Sequence, residues 1–84
     1  MAFYIFKVWR DKAPEQPEGL ELLYTFPYAP LNEALMYRRA ETRLRELRRA
    51  ADPKGGYYLH LVYGDDEYDA KNRLLAKLQQ AHLS

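Results

Sequence analysis

The stretch Phe3-Tyr4-Ile5-Phe6-Lys7-Val8-Trp9-Arg10 decides the fold class of this chain. Its residues are aromatic or β-branched almost throughout, with no glycine or proline, which is the composition of a β-strand. Residues 11–19 follow with Pro14, Pro17 and Gly19 and read as a loop. Residues 20–26 form a second strand, ended by Pro27 and Pro30. The two strands make a hairpin whose connection, 11–19, is longer than the usual hairpin loop.

Beyond the hairpin the apolar period changes. Tyr37, Ala40, Leu44, Leu47 and Ala51 recur at spacings of three and four, the stripe of an amphipathic helix over 31–51. Asp52-Pro53-Lys54-Gly55-Gly56 stops it. Residues 57–63 are again aromatic and branched, a third strand, and Gly64 turns the chain. Asp65 is expected to cap a second helix. Asp66, Glu67 and Asp69 stand in its first turn, where negative charge suits the helix dipole. The stripe of this helix is the stem of Lys71 with Leu74, Leu75, Leu78 and Ala81.

The element order is therefore β-β-α-β-α, an α+β chain. The first helix must carry the chain back to the sheet. The third strand is expected beside the first and antiparallel to it, in order 2-1-3. Both helices are then placed on one face, as a two-layer sandwich. Order 1-2-3, with strands 2 and 3 parallel, is the alternative.

At 84 residues the chain is one domain, 1–84, and small enough that a staple or a partner subunit would help it. It has no cysteine and only two histidines, His60 and His82, so thiolate and all-imidazole metal sites drop out. The formal net charge of +1 gives no bulk attraction to polyanions. The apolar start is broken by Lys7, too early for a signal peptide, and no run approaches a transmembrane span. A cytoplasmic protein is expected, with no membrane partner.

Alternation along the strands singles out a surface. A lysine in mid-strand rarely faces a core, so Phe3, Ile5, Lys7 and Trp9 are assigned to the face away from the helices. Tyr4, Phe6, Val8 and Arg10 are assigned inward. Leu20, Leu22, Tyr24 and Phe26 join the inward set in strand 2, as do Tyr57, Leu59, Leu61 and Tyr63 in strand 3. The outer face then gathers Phe3, Ile5, Trp9, Leu23, Tyr58 and Val62 around Lys7, Glu21, Thr25 and His60. A solvated face would be polar at these positions. An aromatic and apolar one reads as a contact surface, unless the 11–19 loop or the C-terminal tail covers it. Phe3, Ile5, Lys7, Trp9, Leu23, Tyr58, His60 and Val62 are the candidate interface.

The first helix also carries Arg38, Arg39, Arg43, Arg45, Arg48 and Arg49. Arg38, Arg45 and Arg49 share one strip with Thr42. With Arg48 they form the alternative site, a phosphate-binding face for nucleic acid. Three points weigh against it. Glu41 and Arg45 stand at i,i+4, Arg48 and Arg49 suit a helix C-terminus, and the aromatics are assigned to the opposite layer.

Nothing supports catalysis. His60 is the sole acid–base candidate, on a flat face without a pocket. His82 reads as a partner of its helix's C-terminal dipole. The acidic residues 65–69 lack the spacing of a Ca²⁺ loop. No catalytic residue, metal or cofactor is assigned. The sequence reads as a non-enzymatic interaction or adaptor module, binding a protein partner or itself as a homodimer.

Overall fold

The computed structural model describes residues 2–11, 19–27, 31–52 and 54–83, with side chains placed through Gln79. Five elements follow in the expected order: strand β1 (Ala2–Trp9), strand β2 (Leu20–Pro27), helix α1 (Glu33–Ala50), strand β3 (Tyr57–Gly64) and helix α2 (Glu67–Leu83). The sheet has order β2-β1-β3, and β1 is antiparallel to both neighbours. Most of the hairpin loop 11–19 lies outside the described residues, as do the side chains of Ala81 and His82.

The two helices sit on opposite faces of the sheet, not on one, so the sheet is the middle of three layers. Tyr4, Phe6 and Val8 of β1 pack with Ala70 and Leu74 of α2, and Leu75 and Leu78 close the same cluster. Ile5, from the other side of β1, packs with Leu44 of α1 and Leu59 of β3, joined by Leu47 and Ala51. Successive strand residues point to opposite faces. Yet Ile5 and Phe6 are both 0 % exposed, so each face is covered.

Register explains the departure. Ile5 stands opposite Leu61, Lys7 opposite Leu59 and Trp9 opposite Tyr57. Tyr57, Leu59, Leu61 and Tyr63 therefore share a face with Phe3 and Ile5, while Tyr58, His60 and Val62 lie with Phe6. A shift of one residue in pairing moves every side chain to the other face. In β2 the register slips between Ile5 and Phe6, with Tyr24 opposite Ile5 and Leu22 opposite Phe6. Leu23 is the extra residue of a β-bulge. Alternation inverts there, so Leu20 and Leu22 join the α2 side while Leu23 and Phe26 join the α1 side.

The helix ends follow local chemistry. The first helix ends at Ala50, and the stop beyond it is built by Asp52. Its carboxylate accepts from Lys54 N–H and its carbonyl from Gly55 N–H. Gly56 takes φ +72°, a conformation that favours glycine. At the start of α2, Asp66 rather than Asp65 is the cap, since its carboxylate accepts the N–H of Asp69 at 2.7 Å. The Asp69 carboxylate accepts from Asp65 N–H in return. Gly64 sets how closely α2 approaches the sheet, because a Cβ there would stand 2.7 Å from the backbone nitrogen of Ala70.

Candidate functional site

Covering both faces divides the eight interface candidates. Phe3 and Ile5 are buried beneath α1, and Leu23 packs against the same cluster. Val62 packs against the α2 cluster on the other side. These four are core or core margin, and no single open face joins all eight. The apolar character of both sets was a true signal of burial, and the chain's own helices supply the cover.

Lys7 misled the assignment of faces because its aliphatic stem and charged head do different things. It lies on the α1 side, but Trp9 and Tyr57 flank it. Its Nζ stands 5.1 Å from the Trp9 ring centre and 4.4 Å from that of Tyr57. A cation over aromatic faces is a favourable way to leave water partly behind. Trp9 and Tyr57 also meet edge to face at 5.4 Å. On the opposite side of the sheet, Arg10 stacks over Tyr58 at 4.4 Å.

Among the described residues no strand pairs with the outer edge of β3. Arg10 N–H donates to the Gly56 carbonyl at 2.8 Å, which fixes the phase of the β1–β3 ladder. Tyr58, His60 and Val62 therefore direct their main-chain groups to β1. Tyr57, Leu59, Leu61 and Tyr63 direct theirs outward. The Leu59 carbonyl accepts from the Arg48 guanidinium at 3.1 Å. The N–H of Leu59 and both main-chain groups of Leu61 have no partner among the described residues. The other edge, along β2, is blunted by its bulge and by Pro27.

Two shallow clefts flank the β3 edge and share Arg48 and His60. One, of about 290 Å³, lies among Arg48, Ala51, Tyr57, Tyr58 and His60. The second, of about 330 Å³, is walled by Tyr37 and Arg48 of α1 on one side and by Lys77 of α2 on the other. Tyr58 is 47 % exposed here and meets His60 edge to face. The imidazole of His60 is half-buried. Burial first, and then the charges of Lys77 and Arg48, hold its pKa below the ordinary histidine value. The cleft is thus cationic and aromatic. Glu41 is the one carboxylate among its described lining residues, and it is tied to Arg45.

The four arginines of the alternative site also separate. Arg38 and Arg45 lie on the outer strip of α1 with Thr42, and Arg45 is paired with Glu41 at 2.6 Å. Arg49 is exposed in the last turn. Arg48 turns instead to the β3 edge. The separation of arginines from aromatics expected earlier does not hold, since Arg48 shares a cleft with Tyr57 and Tyr58. No cluster of metal-ligating side chains occurs among the described residues. No described helix is long and apolar enough to cross a membrane.

The β3 edge was the feature that sequence reasoning missed. Its signal was present in the third strand, which has neither proline nor a charged residue to blunt an edge. Comparison with protein-family models, curated proteins and solved structures finds no match to this chain.

Proposed function

We propose that the protein is a small protein-interaction module and that it engages its partner along the open edge of β3, not through a face of the sheet. The observation that carries this reading is a row of outward main-chain groups at Leu59 and Leu61, bordered by clefts holding exposed Tyr58 and Arg48. An unpaired strand edge is a template for a further strand, and side-chain pockets beside it supply specificity. Buried hydrophobic faces argue for the edge by elimination. A second copy of the chain fits less well than a different partner. An antiparallel β3–β3 seam would bring Arg48 and Lys77 toward their own copies. Nucleic acid remains the rival reading, favoured by the shared cleft of Arg48 with Tyr57 and Tyr58.

The test replaces Tyr58, and separately Tyr68, with a photoreactive benzoyl-phenylalanine in the cells that make the protein. Both tyrosines are exposed, but Tyr68 stands in the first turn of α2. A protein crosslinked from position 58, absent from position 68, and lost in Leu61→Pro but kept in Leu61→Ala is the expected result. Proline removes an outward N–H without touching the ladder to β1, and alanine controls for lost packing. Equal capture from both positions, or capture indifferent to proline, would sink the proposal.

A further inference from the structure

We infer that the partner segment is an extended acidic peptide, which adds to β3 as a fourth strand and takes Arg48 off the Leu59 carbonyl. This rests on the reading of the β3 edge as the contact surface and specifies its occupant.

The charge of the cleft selects the occupant. Arg48 borders it from α1 and Lys77 from α2, two cations with the imidazole of His60 between them. The charges of Lys77 and Arg48 both reach His60. Arg73, one turn before Lys77, lies 6.0 Å from the Tyr63 ring but is held by Asp69 at 3.0 Å. Arg48 and Lys77 have no carboxylate partner among the described residues. A neutral or basic strand would leave these cations facing like charge or nothing. An acidic strand would neutralise them across the edge, where charge-assisted hydrogen bonds are stronger than neutral ones.

Arg48 is placed to exchange partners. Its guanidinium now occupies the Leu59 carbonyl at 3.1 Å, the acceptor that an incoming strand needs. That contact covers one acceptor of the edge and so guards it against indiscriminate pairing. An arriving carboxylate can take the planar guanidinium in a two-pronged contact. The freed carbonyl then accepts a main-chain N–H from the same segment, and Leu61 supplies the next donor and acceptor. A peptide without acidic residues must leave Arg48 unpaired to reach the same ladder. The device therefore discriminates by charge, although the main-chain bonds carry no sequence information.

The experiment selects displayed random peptides of about eight residues, a strand length matched to β3, against the intact protein. Enriched peptides are then synthesised and their affinities read by fluorescence anisotropy. Aspartate and glutamate at alternating positions are expected among them. Arg48→Gln and Lys77→Gln should each weaken binding roughly tenfold, while Thr42→Ala, on the outer strip of α1, leaves it unchanged. Methylation of alternate peptide nitrogens, or Leu61→Pro in the protein, should abolish it, with Leu61→Ala retaining most. Enrichment of neutral or basic peptides that still require the unmethylated backbone would overturn the acidic occupant and leave the edge reading intact. Peptides that bind despite methylation and despite Leu61→Pro would overturn both. An oligouridine probe that outcompetes the peptides in a salt-dependent manner would replace strand addition with a nucleic-acid site.

Discussion

His60 shows how one residue can register its surroundings. Its side chain lies beside Tyr58 on the α2 side, at the edge where Arg48 and Lys77 converge. Burial and those two cations disfavour its charged form, so its folded pKa lies below the unfolded one. Below the unfolded value, about 6.5, the unfolded chain binds more protons at this position than the folded one. Stability from this group is thus complete at neutral pH and declines as the solution is acidified through that value. Chemical denaturation at a series of pH values should show the decline, and His60→Gln should reduce its slope between neutrality and mild acid. An unchanged slope would mean that His60 is as well solvated in the fold as out of it.

At the scale of elements, β1 is the organising piece. It is the central strand, hydrogen-bonded on both sides and packed on both faces. The continuous run Phe3-Tyr4-Ile5-Phe6 is what a strand buried on two faces requires, whereas a half-exposed strand alternates. Helix α1 covers Ile5 and α2 covers Phe6. Ile5→Ala should therefore cost about 2–5 kcal/mol and Phe6→Ala about 3–5 kcal/mol, as for full burial. Urea unfolding of the two variants measures this. A cheap Ile5→Ala would mean that α1 does not hold its face closed. The apolar stripes of both helices were readable in advance. Leu44 and Leu74, each expected inward, are buried. The choice of face for each stripe was not readable, because a helix stripe specifies that it is covered and not by which side of a sheet.

At the scale of the molecule, the closed faces change the expectation for assembly. Among the described residues each face of the sheet is packed by a helix, and the β3 edge is bordered by positive charge. Static light scattering across a concentration series should return the monomer mass of 10.0 kDa at both low and high salt. A salt-resistant dimer would restore self-association as the role of the β3 edge, despite the like charges that it brings together. The sequence by itself determined the number and order of the elements, the stop at 52–56 and the buried leucines of the helix stripes, and it favoured strand order 2-1-3 over 1-2-3. Those features depend on local periodicity, turn residues and chain connectivity, all of which are written along the chain. Only the tertiary structure decided the register of β3, the bulge at Leu23, the side that each helix covers, and hence the open edge with Arg48 resting on it. Each depends on pairing between segments far apart in sequence, where one residue of shift reverses every side chain, and where Lys7 could satisfy its charge over Trp9 and Tyr57 rather than in open water.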